Sequence, residues 1–174
     1  MVDAQVQREA ANHATASANA VAFALALQAI AANANLGLAV NSMLMREYGL
    51  EDPLRGFISQ FATSNLIEMT ARGRVSRVAD VPDATLDSAV SGLDQNAKTT
   101  AKKDLHLVVA ALAADNRILS HEKLARRAFQ KAIPADARLA VIHWVSPGEP
   151  ACCSWLSRGA PDEPAYQLTH SPSW

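Results

Sequence analysis

The sequence predicts an α/β protein in which a mostly parallel sheet is covered by helices on both faces. Short apolar runs at Leu36–Val40, Ile118–Leu119 and Leu139–Val145 alternate with stretches of helical period, the order expected of chains that build right-handed crossovers. The run Leu139–Val145 is nearly unbroken, the pattern of a strand buried on both faces. Alanine fills much of the 49% hydrophobic share while aromatics are only 5%, which favours helices packed closely through small side chains.

The 174 residues suit one domain with a sizeable core, and 19% charged residues exclude a disordered chain. Sixteen basic and seventeen acidic residues leave a net charge of -1, so a basic carpet for nucleic acid is excluded, though a local basic patch is not. The only two cysteines, Cys152 and Cys153, are adjacent. They make neither a disulfide framework nor a metal site, and a reducing, cytoplasmic compartment is expected. Ala20–Ile30 followed by Ala32-Asn33-Ala34 mimics a secretory leader, but Arg8 is offset by Asp3 and Glu9. Gln28 and Asn33 likewise argue against a membrane span.

The elements follow in order. Met1–Val6 reads as the end of a short strand entering a loop. Thr15–Asn33 reads as a helix with Phe23, Leu27 and Ile30 on one face, flanked by Val21 and Leu25, and apolar enough to be buried on most sides. The run Leu36–Val40 ends in Asn41-Ser42, two good caps for a helix starting near Met43 that carries Glu47 one turn inside, with Met43, Met45 and Tyr48 as core. Asp52-Pro53 opens another helix with Leu54, Phe57, Ile58 and Phe61 on one stripe. Arg74–Ala79 is a short strand, and Asp83 caps a helix to about Leu93. Asp94–Lys103 is polar and reads as a loop with at most one helical turn. Asp104 then caps a helix whose stripe is Leu105, Val108, Val109 and Leu112. Arg117–Ser120 is a strand. His121–Ile133 is a helix with Ala125, Phe129 and Ile133 inward and Arg126, Arg127, Gln130 and Lys131 toward solvent. Residues 1–145 form the domain. Residues 146–174, with five prolines and two glycines, form an irregular appendage holding one short helix from about Pro150 to Ser157.

In parallel α/β sheets, sites form where strands end and helices begin. Asp3, Glu47, Asp104 and Glu122 map to that rim from four separate segments. Clustered carboxylates raise one another's pKa and are tolerated only if a proton or cation joins them. Mg²⁺ is held by a few carboxylates while keeping several waters, and such an ion activates water and neutralises charge at a phosphodiester. Lys98, Lys102 and Lys103 stand beside Asp104, and Lys123, Arg126 and Arg127 lie beyond Glu122. They are either solvated faces or a rim for phosphates. His106 reads as a packed or capping side chain. There is no glycine-rich phosphate loop and no nucleophile elbow.

These segments resemble the PIN-domain nucleases. Val2-Asp3-Ala4-Gln5-Val6 looks like the family's V-D-x-N-V opening. Ser42–Tyr48 resembles its serine-led helix ending in a catalytic glutamate. Lys103-Asp104-Leu105-His106-Leu107 resembles its D-x-H-L motif before an alanine-rich helix, and Ile118–Glu122 its acidic residue after a strand. Order and spacing match over about the first 145 residues. The resemblance implies a three-layer α/β/α sandwich and a Mg²⁺- or Mn²⁺-dependent endoribonuclease. Asp3, Glu47, Asp104 and Glu122 would then be the metal-binding and catalytic set, with RNA as substrate. It also implies the toxin of a toxin–antitoxin pair, with an antitoxin partner and a homodimer. The sequence departs from the pattern at Gln5, where asparagine is usual, and at Glu122, where aspartate is commoner. Two further readings stay open: a catalytically degenerate PIN-like binding or assembly module, and a different Mg²⁺-dependent phosphate enzyme on a related sheet.

Overall fold

The computed structural model describes residues 1–3, 5–6, 18–47 and 67–170. The helix expected from Asp52 and its stripe Leu54, Phe57, Ile58 and Phe61 lie outside the described residues, as does Tyr48. The protein is mixed α/β. In chain order its elements are α1 (Ala18–Ala32), β1 (Leu38–Val40), α2 (Ser42–Glu47), β2 (Val75–Arg77), α3 (Ala84–Ser91), α4 (Gln95–Ala113), β3 (Arg117–Leu119), α5 (Lys123–Ala132), β4 (His143–Val145) and α6 (Cys152–Ser157). Strands β1 and β2 pair in parallel, Leu38 against Val75. Strands β3 and β4 pair in parallel, Arg117 against His143. Val2 adds a parallel bridge to Leu119, and Gln167 an antiparallel bridge to His143.

Helix α1 buries Phe23, Ala26, Leu27 and Ile30. Val21 and Leu25, on its other side, are exposed, against the expectation that the helix is buried on most sides. The Arg74 guanidinium closes its C-terminus, donating to the carbonyls of Ile30, Ala31, Asn33 and Leu36 at 2.6–2.8 Å. Those of Ile30 and Ala31 are carbonyls that a helix end leaves without intrahelical partners. The same turn brings Gly37 against Arg74, where a Cβ would stand 2.9 Å from the carbonyl oxygen. Only glycine fits that approach.

Caps set the helix starts. Asn41 Oδ1 accepts the Leu44 amide, starting α2 at Ser42. Asp83 accepts the Leu86 amide for α3, as expected. For α4 the expectation is overturned. Asp94, not Asp104, is the cap, accepting the Ala97 amide at 2.9 Å. The polar stretch read as a loop is helical because Ala97 and Ala101 carry the buried stripe backward, leaving lysines and threonines outward. Met43 is 45% exposed rather than core.

The strand expected over Leu139–Val145 is shorter. Asp136 caps a 3₁₀ turn over Ala137–Val141, and only His143–Val145 is extended. The apolar run is buried at Leu139, Ile142, Trp144 and Val145, so burial, not strand length, explains its composition. Arg126, expected in solvent, is 1% exposed. It donates to the carbonyls of Trp144, Gln167 and His170, and Gln130 donates to those of Leu168 and His170. Arg127 and Lys131 are exposed, as expected. Trp155, Leu156 and Leu168 join the same core as the preceding elements, and Asn33 binds the Leu156 and Ser157 carbonyls from the end of α1. Among the described residues, no helix is long and apolar enough to cross a membrane.

Candidate functional site

Asp3 follows directly on the Val2 bridge and is 7% exposed. Its carboxylate is held on both sides. Ser120 Oγ donates to Oδ2 at 2.6 Å, and the Gln5 amide donates to Oδ1 at 2.9 Å. Ser120 is fully buried just past β3 and also accepts the Glu122 amide at 3.2 Å. One serine therefore ties the first predicted acid to the backbone of the fourth. Glu122 stands at the N-cap position of α5 without making a side-chain cap bond, so its carboxylate is not consumed by the helix end.

Asp104 lies in the middle of α4. Residues Ala97, Ala101, Val108 and Ala111 form the buried stripe of that helix, and at 3.6 residues per turn position 104 falls on the same stripe. A carboxylate there occupies what the rest of the helix treats as a core position. Burial pushes it up to about 7, and the charges of Asp3, Glu122 and Glu47 add to the rise while His106 opposes it. Three other segments thus bring negative charge to bear on one half-buried aspartate.

Glu47 ends α2, and its Oε2 lies 3.4 Å from His106 Nε2. His106 Nδ1 lies 3.1 Å from the Lys103 carbonyl, so the ring is fixed from one side and faces Glu47 from the other. Burial opposes its protonation, yet the Glu47 carboxylate, with Asp104 behind it, holds the imidazole above its ordinary value. Asn41, the cap of α2, also donates to the His106 carbonyl at 3.1 Å, fastening α2 to α4. His106 Nε2 thus stands at ion-pair distance from Glu47, making no hydrogen bond to a described residue.

All four predicted acids therefore stand in one electrostatic neighbourhood. They are not drawn into a cage: among the described residues, no group of three or more His, Cys, Asp and Glu is arranged to hold a metal ion. The donor chemistry, hard carboxylates around an aspartate that is costly as an anion, suits a hard dication.

Reading the sequence residue by residue misses Ser120 as a positioning group. Its signal is a small polar residue between an apolar strand and an acid two positions on. Asp80 is also missed; both its oxygens lie 3.3 Å from the Ser42 amide, where an acid complements the start of α2. Cys152 is buried and its thiol is pushed up by burial, which fits an inert role. The chain matches no known protein family, no curated protein and no solved structure.

Proposed function

We propose that this chain is a metal-dependent endoribonuclease of PIN type, with Asp3, Glu47, Asp104 and Glu122 as its acidic centre on a three-layer α/β/α frame. The observation that carries the reading is the position of Asp104. A helix that otherwise buries alanine and valine along one stripe places a carboxylate there, facing the charges of three other acids. Packing gives no reason for that arrangement, since leucine or alanine at 104 would stabilise the helix more. A site that gathers positive charge gives one.

The residues would divide the work as follows. Asp3 is immobilised by Ser120 and Gln5, so it presents its oxygens without reorganising. Asp104 would gain most from a nearby cation and would be the second direct ligand. Glu47, steadied by His106, and Glu122, steadied through its amide by Ser120, would hold water at the rim. When bound, Mg²⁺ or Mn²⁺ supplies an acidified water and neutralises charge on the scissile phosphate. Both β1–β2 and β3–β4 are parallel. The two pairs are separate two-stranded sheets; Val2, Leu38, Ile118 and Leu119 line one small cavity of about 40 Å³, so the three segments lie close together.

Incubation with labelled single-stranded RNA tests the reading. Cutting with Mn²⁺ or Mg²⁺ that stops with EDTA and with Asp104→Asn is expected. Intact RNA under all metal conditions would contradict it. The absence of a closed ligand cage among the described residues favours one alternative, a degenerate module that binds without cutting. That alternative predicts intact RNA and no thermal shift on adding Mn²⁺.

A further inference from the structure

Helices α4 and α5 lie side by side and run in opposite directions. Lys131, near the end of α5, binds Asp94, the cap of α4, at 2.9 Å, while the charge of Glu122 at the start of α5 acts on Asp104, ten residues further along α4. Two rows follow from this alignment. On α4, Asp94, Lys98 and Lys102 stand one turn apart. On α5, Lys123, Arg127 and Lys131 do the same in reverse. Starting from the Asp94–Lys131 latch, Lys98 comes opposite Arg127 and Lys102 opposite Lys123. Each row ends within two residues of an acid of the candidate centre, Asp104 or Glu122.

Asp94 is the one acid in these rows, and Lys131 neutralises it. Lys98, Lys102 and Arg127 form no ion pair among the described residues. A protein of net charge -1 thus concentrates these three cations on one helix pair, beside the site where its acids concentrate. Leu124 lies between Lys123 and Arg127 and is 64% exposed. Cations with an aliphatic side chain among them match a strand that offers phosphates and apolar base faces. An acidic peptide needs the cations and has no use for the leucine.

We propose that Lys98, Lys102 and Arg127 form a track for the phosphodiester backbone of a single-stranded polynucleotide and lead it to the acidic centre. The direction of the track rests on the nuclease reading; its affinity does not. Among the described residues no aromatic ring lies in these rows, so binding is insensitive to base sequence and dominated by salt.

The test is fluorescence anisotropy of a labelled oligouridylate with the full chain in EDTA, so that binding is read apart from cutting. Three phosphate contacts to a single strand predict a slope of log K against log salt of about -2.1, or roughly an 18-fold loss between 50 and 200 mM. The variant Lys98→Gln/Lys102→Gln/Arg127→Gln removes all three contacts and should bring the slope close to zero over the same range. Arg72→Gln, on a surface pair with Glu68 elsewhere in the chain, should keep the wild-type slope. A triple variant that binds as wild type does, or a wild type with no salt dependence, overturns the track. So does a polyglutamate of equal charge that binds as tightly, which would assign the rows to an acidic protein partner. Wild type that binds as described but cuts nothing removes the nuclease reading and leaves the track. Wild type that cuts while the triple variant binds equally well does the reverse.

Discussion

Ser120 Oγ donates to Asp3 Oδ2 across 2.6 Å, joining residues 117 positions apart in the chain. The bond is buried at both ends and bridges the segment that starts the chain to the turn after β3. Because the same oxygen accepts the Glu122 amide, the serine sets the spacing between two acids of the proposed centre.

Ser120→Ala removes that bond without adding bulk. A hydrogen bond to a charged group contributes about 1.5–3 kcal/mol, so urea unfolding should show a loss in that range. Cleavage should fall more steeply than stability, because Asp3 loses its fixed orientation. A variant as stable and as active as wild type would mean that Gln5 alone holds Asp3.

Asp104 makes the metal-free protein sensitive to alkali. Its folded pKa, about 7, lies above the ordinary 3.8, so the native state binds the proton more tightly than the unfolded chain. The stability linked to that proton is fully present below about pH 4 and is lost as pH rises to about 7. Asp104→Asn should level this slope and stabilise the metal-free protein at pH 8 by roughly 1–3 kcal/mol, after discounting for partial exposure. Thermal melts from pH 4 to 8 read both effects. An Asn variant less stable than wild type at pH 8 would mean that the carboxylate is satisfied by neighbours and not strained.

His143 gives the opposite sign. Burial lowers its pKa, an effect that Asp162 only partly opposes. Its Nδ1 is buried without a hydrogen-bond partner among the described residues, while Nε2 lies 2.9 Å from Asp162 and the ring stacks on Trp155. The neutral ring is favoured in the fold, so its contribution is present above about pH 6.5 and is lost as pH falls below that value. His143→Phe keeps the stack and should flatten the acid limb of a melting curve between pH 6.5 and 5. An unchanged acid limb would assign that limb to other groups.

Arg126 fastens residues 167–170 to the core through three carbonyls. Arg126→Met strands those acceptors, at a cost of at least about 3 kcal/mol. Hydrogen exchange should show the amide of Leu168, which bonds the Ile142 carbonyl, losing protection well before those of α4. Uniform loss across the molecule would mean that this segment and the core open together.

Much of the fold is legible in the sequence wherever a residue acts through its immediate neighbours. Asp83 caps α3 and Asn41 caps α2, because an N-cap needs only a side-chain oxygen and an amide two or three residues away. The misreadings fall where distant chain decides. Asp104 has the composition of a cap, but Asp94 takes that role and the alanines between them fit against the core. Arg126 has the helical phase and charge of a solvent residue, yet carbonyls some forty positions further on claim it. The site divides in the same way. Asp3 and Glu122, just past the Val2 bridge and β3, can be read from spacing, whereas Asp104 stands mid-helix and Glu47 ends α2; Ser120 as the link between Asp3 and Glu122 requires knowing that Val2 lies beside Leu119. His106 reaching Glu47 likewise depends on α2 meeting α4.

The most direct test of the proposed centre is calorimetric titration of the metal-free protein with Mn²⁺, repeated on Asp3→Asn, Glu47→Gln, Asp104→Asn and Glu122→Gln. The shared-cation proposal predicts one site in wild type. Asp3→Asn or Asp104→Asn should abolish binding, and Glu47→Gln or Glu122→Gln should weaken it by about 10–100-fold. No binding by wild type, or binding that survives Asp104→Asn unchanged, would contradict it.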